Sequence, residues 1–152
     1  MSFKLDRVHI WAGDVADQAG GVASKLAHLA QADANLEYIY TRRSTDKPGT
    51  GVLYVAPISG PVVVKAAKEA GLHEVDHPIV LRVEGDNAAG LAHRVTHQWA
   101  VEGLSLHGLM MSVLGEKFVG YVQFDSAADA NRAAAILGDL GSITNAELQA
   151  KS

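Results

Sequence analysis

The run Gly51-Val52-Leu53-Tyr54-Val55-Ala56 returns 67 positions later as Phe118-Val119-Gly120-Tyr121-Val122-Gln123, and Ala19-Gly20 returns 70 positions later as Ala89-Gly90. Working outward, the shift of 70 also carries Ala30 onto Ala100 and Leu36 onto Leu106. It lays the apolar run Val8-His9-Ile10-Trp11 over Pro78-Ile79-Val80-Leu81. The shift of 67 carries Ser59 onto Ser126, Ala66-Ala67 onto Ala133-Ala134 and Gly71 onto Gly138. The change of shift falls between Arg43 and Gly51, where Ser-Thr-Asp-Lys-Pro-Gly-Thr reads as a hairpin tip, the place where insertions are tolerated. The chain is two copies of one unit.

Each copy reads in the same order. Residues 5–11 and 78–83 are apolar enough for a first strand. Residues 20–32 and 90–101 carry apolar side chains at helical spacing: Val22, Leu26 and Leu29 in one, Leu91, Val95 and Trp99 in the other. Residues 35–43 and 104–113 follow as strands, with 51–56 and 117–124 as their hairpin partners. Residues 60–70 and 127–137 are Ala-rich helices, expected to start after Ser59 and Ser126 as caps and to stop at Gly71 and Gly138. A short strand at 72–75 closes the first copy, and a weaker one around 141–144 closes the second.

The pattern βαββαβ, twice, predicts an α+β fold of two ferredoxin-like units side by side, each an antiparallel sheet with helices on one face. The domain boundaries expected are 1–76 and 77–152. A unit of this size is marginal alone, and Asp76-His77-Pro78 is a very short junction, so the copies are expected to associate tightly. Both face parities of the third strands are apolar, Val52 and Tyr54 with Val119 and Tyr121 on one, Leu53 and Val55 with Phe118, Val122 and Phe124 on the other. The units are therefore expected to join edge to edge into one sheet, and the chain to form a homodimer or larger assembly through the face away from the helices.

Composition removes several function classes. Seventeen acidic against thirteen basic residues give a formal charge of −4, which argues against binding phosphate backbones or anionic lipid. There is no cysteine, so thiol chemistry and cysteine-ligated metals are excluded. Neither a signal-peptide core nor a long uncharged span is present, and a cytoplasmic location is the expectation.

Motifs with catalytic letters lack the context their chemistry needs. His73-Glu74-Val75-Asp76-His77 spells H-E-x-x-H, but zinc chemistry requires both imidazoles on one helical face. Here the string falls on the closing strand, and Pro78 pushes His77 out of the helical region. His93 and His97 form an i,i+4 pair on a helix, without a visible third ligand. Gly103-Leu104-Ser105-Leu106-His107 runs from helix to strand, the reverse of a nucleophile elbow. The strand at 117–124 is similar to an RNA-recognition-motif signature, but only Tyr121 occupies a base-stacking place. No catalytic constellation emerges, so the chain is expected not to be an enzyme, and no cofactor or metal is expected.

The loops before the first helix of each copy are the better candidates. Asp17-Gln18-Ala19-Gly20-Gly21 and Asp86-Asn87-Ala88-Ala89-Gly90 place small residues with acids or amides at a helix N-terminus. First-turn amides left open by small side chains can hold a carboxylate, and Asp17, Asp86 or Asn87 can meet an ammonium group. Together they would grip both ends of an amino acid's backbone. The alternative reading is that Asp17 and Asn87 cap their helices while the glycines allow close packing.

With these residues in place the chain resembles the ACT domain family, named for aspartate kinase, chorismate mutase and prephenate dehydrogenase. That family follows its first strand with an Asp-x-Pro-Gly loop, an apolar helix, and a small residue with an Asn-Ile-like pair opening the second strand. This sequence has Asp17-Gln18-Ala19-Gly20 and Ala34-Asn35-Leu36, then Asn87-Ala88-Ala89-Gly90 and Gly103-Leu104-Ser105-Leu106. Both copies carry alanine at the loop proline, and Ser105 stands where the family has asparagine. The resemblance implies a regulatory protein that binds an amino acid or similar small metabolite where one domain's loop meets its neighbour's second strand. The implied cleft takes loop 17–21 with residues 105–107, or the converse pairing, and the bound side chain points towards Leu36 or Leu106. The regulated partner would be an enzyme or a regulator. Two other classes stay open: an RNA-binding protein on the related fold, and a histidine-metal enzyme.

Overall fold

Alternation along one strand of each copy sets the sheets. In β4 (Thr50–Ala56) Gly51, Leu53 and Val55 are buried while Val52 and Tyr54 are only half-buried. In β8 (Lys117–Phe124) Phe118, Gly120, Val122 and Phe124 take the buried row. β4 pairs antiparallel with β3 (Tyr38–Arg43), and β8 with β7 (Gly108–Leu114). The tip of the first hairpin spans 44–49 and that of the second is only Gly115-Glu116, which accounts for the change of repeat shift at a loop. The structure, a computed structural model, describes residues 2–140 and 142–143.

The helices obey the same repeat. α1 (Gly21–Gln31) and α3 (Leu91–Val101) are offset by the shift found in the sequence. Leu91, Val95 and Trp99 are all buried on α3, a stripe one turn apart. On α1 Leu29 is fully buried, with Val22 and Leu26 packed half-buried beside it. Each large side chain of this kind contributes about 1.5–3 kcal/mol by leaving water. α2 (Pro61–Glu69) and α4 (Ala127–Leu140) bury alanines, Ala67 in one and Ala130, Ala133 and Ala134 in the other, so the backbones lie close to their sheets. Each unit has its own core: one around Trp11, Leu29, Leu53 and Val55, the other around Phe3, Leu5, Trp99 and Phe124.

Two expectations about the second helices are corrected. Ser126 does cap α4, its hydroxyl accepting the Asp129 amide at 3.1 Å. Ser59 does not cap α2: Gly60 is the cap, with Pro61 at the first helical position, where its missing N–H costs nothing. α2 ends before Gly71, which has φ +81°, but α4 runs through Gly138 to Leu140.

The main correction concerns the first strand. Residues 5–11 are not one strand; β1 (Ser2–Val8) and β2 (Trp11–Ala16) are separated by His9-Ile10. β2 is the first strand of its copy, between β4 and β5 (His73–Glu74), giving the order β3-β4-β2-β5. β1 instead pairs antiparallel with β6 (Ile79–Asp86), Leu5 opposite Val83, in the sheet β7-β8-β6-β1-β9. It fills in the second copy the place that β5 fills in the first. The short strand β9 (Ser142–Ile143) adds parallel to β1 at the sheet edge. The expected second closing strand is thereby found in part, Gly141 and Thr144 lying outside the described residues.

The compact units are accordingly His9–Asp76 on one hand, and Met1–Val8 with His77–Ser152 on the other. Where the sequence suggested a division into 1–76 and 77–152, the chain contacts group residues 1–8 with those from His77 onward. The backbone ladders of the described residues form two sheets, not the single one expected. Each has the ferredoxin-like plan, helices on one face of an essentially antiparallel sheet. No helix among the described residues is long and apolar enough to cross a membrane.

Candidate functional site

The two loops leading into α1 and α3 have the same backbone. Gly20 (φ +85°) and Gly90 (φ +78°) both occupy the left-handed region as N-caps. A Cβ built on either would meet nothing within 4 Å, so both sit in open space. Neither helix has a side-chain cap, which removes the reading that Asp17 and Asn87 serve as caps. Helix starts leave amides without intrahelical partners, and here no side chain covers them by capping. The positive end of each helix dipole therefore faces solvent beside small residues.

Gly21 has a different reason from Gly20. A Cβ there would lie 2.0 Å from the Ala16 carbonyl oxygen, so only glycine lets α1 start this close to the end of β2. In the second copy the equivalent residue is Leu91, buried in the core. The expectation that the glycines permit close packing thus holds for Gly21 and not for Gly20.

The acids near the loops already have cationic partners. Asp17 Oδ2 lies 3.0 Å from Arg43 Nε across the first hairpin. Asp14 accepts a hydrogen bond from Lys47 at 3.1 Å. Asp86, at the end of β6, accepts one from Lys117, its partner at the start of β8. That hydrogen bond, followed by the charge of Lys117, holds the Asp86 carboxyl below its ordinary range and raises the Lys117 ammonium. Exposed pairs such as Asp17–Arg43 are worth about 0–1 kcal/mol, so a ligand's ammonium could displace the guanidinium at little cost.

The remaining candidates lie elsewhere. Asn35 and Leu36 follow the C-terminal end of α1, and Ser105 and Leu106 follow that of α3. An eleven-residue helix is about 16 Å long. Within one unit, then, loop 17–20 and Asn35–Leu36 stand at opposite ends of α1, and loop 86–90 stands likewise to Ser105–Leu106. Gly103, at φ +78°, ends α3, and the Leu104 amide donates to the Trp99 carbonyl at 2.9 Å. The glycine-to-histidine stretch 103–107 is a helix exit.

The histidine motifs come apart on folding. His73 and Glu74 form β5 in one unit, while His77 belongs to the other, so the H-E-x-x-H letters never share a helix. His93 and His97 stack on α3 with ring centroids 5.5 Å apart. An open groove of about 640 Å³ in the His9–Asp76 unit has Trp11 and Leu72 on its floor and His9, Lys68, His73 and Glu74 around it. It lies at the opposite end of β2 from loop 17–20, and sequence reading did not anticipate it. The outward face of β8 offers Tyr121 beside Val119, as the sequence suggested. Burial works against the charge of the neighbouring Arg82, but hydrogen bonds to Glu84 and Tyr121 outweigh it and raise its pKa. In the other sheet, Tyr40 and Tyr54 lie 5.8 Å apart with Arg42 over the Tyr54 ring.

No family sequence model matches the chain, and no curated protein matches it in sequence. Solved structures do. A protein of Bacteroides thetaiotaomicron aligns with a TM-score of 0.72 at 12% identity, covering 90% of each chain. The ligand-free regulatory subunit of aspartate kinase from Thermus thermophilus aligns at 0.61 and 15% identity, covering 90% of this chain and 95% of that one. The aspartokinase alpha and beta subunits align at 0.60 and 17% identity, covering 91% and 96%. The fold is the tandem ACT-type fold over nearly its whole length.

Proposed function

We propose that the chain is a non-catalytic regulatory protein that senses an amino acid or a similar small metabolite at the loops before α1 and α3. The observation that carries this reading is the pair of uncapped helix starts at Gly20 and Gly90. Two copies of different sequence keep the same left-handed glycine with nothing over it. The tandem fold shared with the regulatory subunit of aspartate kinase from Thermus thermophilus supports the same reading.

In this account the α-carboxylate sits on the first-turn amides of 22–23 or 92–93, beside Gly20 or Gly90, since the Gln18, Gly21 and Leu91 amides already donate to the Ala16, Gln18 and Ala88 carbonyls. The ammonium is held by Asp17 in place of Arg43 in the first copy, and by Asp86 or Asn87 in the second. Asn35, Leu36, Ser105 and Leu106 join a site where a second copy of the chain presents them to a loop, which makes the assembly at least a homodimer. The bound signal is passed to an enzyme or regulator through that assembly.

A thermal-shift screen of the twenty amino acids tests the proposal. A ligand at a hundred times its dissociation constant adds about 2.7 kcal/mol, or roughly 5–10 °C for a cooperative chain of this size. Ala19→Trp and Ala89→Trp cover the amides without touching the left-handed glycines, and together they should abolish the shift. A screen that stays flat at millimolar concentration counts against amino-acid sensing.

A further inference from the structure

Three side chains distant in sequence meet at one end of the sheet β7-β8-β6. His107 immediately precedes β7, Asp125 immediately follows β8, and His77 lies two residues before β6. The register explains the meeting. Gly108 pairs with Gln123 and Ile79 pairs with Phe124, so the ends of three adjacent strands are level. The His107 amide donates to the Gln123 carbonyl at 2.8 Å, fixing its backbone as the rung beyond the strand.

The side chains converge on one oxygen. His107 Nδ1 lies 3.0 Å from Asp125 Oδ1, and His77 Nε2 lies 3.6 Å from the same atom. The two rings stand edge to face with centroids 5.4 Å apart, and one donor atom from each of the three residues lies within 4.8 Å of the others. Among the described residues this is the one place where three such groups come together.

We propose that His77, His107 and Asp125 form a binding site for a divalent transition-metal ion, with zinc the ion that suits these donors. Two imidazoles and a carboxylate are borderline nitrogen and oxygen ligands, which favour zinc over magnesium or calcium. A tetrahedral zinc with bonds of about 2.0–2.2 Å holds its ligand atoms roughly 3.3–3.6 Å apart. The present separations of 3.0 and 3.6 Å bracket that value. All three side chains are exposed, so small rotations bring them in without disturbing the core. Three protein ligands leave the fourth position to water or to a small molecule. The strand ends supply the rigid backbone that such a site needs.

The test is calorimetric titration of zinc chloride into the tag-free, chelator-treated chain, with cobalt(II) absorption as a second readout. One zinc per chain at micromolar affinity is expected, with a tetrahedral cobalt spectrum and no response to magnesium. Asp125→Asn and His107→Ala should each weaken binding at least about tenfold, with the circular dichroism unchanged because both side chains are exposed. His93→Gln with His97→Gln should leave it intact. Absence of saturable zinc binding overturns the proposal. So does binding that survives Asp125→Asn combined with His107→Ala, or that disappears with the α3 pair.

Discussion

At the scale of single residues, the two copies solve the same backbone problem with different side chains. Gly103 ends α3 in the left-handed region, and its repeat equivalent Asp33 does so at φ +57°. Aspartate is among the few residues that tolerate that conformation, so the sequence gives no sign of it beyond the repeat register. Ion pairs are equally local. Asp17 pairs with Arg43 in one copy and Asp86 with Lys117 in the other, neither pair having a repeat counterpart. Because the folded-state pKa of Asp86 is depressed, its contribution to stability is present above its unfolded value, near pH 4, and is lost as pH falls through the folded value. Lys117→Met should move the Asp86 carboxyl titration, followed by carbon NMR, upward to the ordinary aspartate range. An unchanged midpoint would show that the pair does not form in solution. The acid cluster with His77 and His107 was invisible in the sequence for a related reason: residues 77, 107 and 125 become neighbours only once three strands are in register.

At the scale of elements, helical periodicity was fully legible and strand partnership was not. The stripe Leu91, Val95, Trp99 and the alternation of β8 appear in the structure as the sequence implies. Phe3 and Leu5 also alternate as a strand should, but period two says only that one face is buried, not in which sheet. The run Val8-His9-Ile10-Trp11 looks continuous because both of its halves are apolar, and the chain changes sheet within it. Leu5 is 2% exposed against Val83 and Phe118's cluster, so Leu5→Ala should cost about 2–5 kcal/mol. Hydrogen exchange should then show lost protection in β6, β8 and α4, with β2 and β4 unaffected. Loss confined to β2 and β4 would restore the simple division at 76/77.

At the scale of the whole molecule, duplication gives the chain two equivalent helix starts, each without a side-chain cap. The edge strand β7 exposes Leu109, Met110, Val113 and Leu114, the last at 84%. An apolar edge of this length is a surface for pairing. Light scattering at tens of micromolar is expected to give at least a dimer, and a monomer at that concentration would remove the assembly through which the signal is proposed to pass. The central claim, that small metabolites bind at the loops before α1 and α3, is tested most directly by nitrogen-15 NMR of the full chain with each of the twenty amino acids at millimolar concentration. At least one of them is expected to shift the amides of 18–23 or 88–93 ahead of all others. Spectra that leave both loops unmoved by every amino acid would contradict the claim.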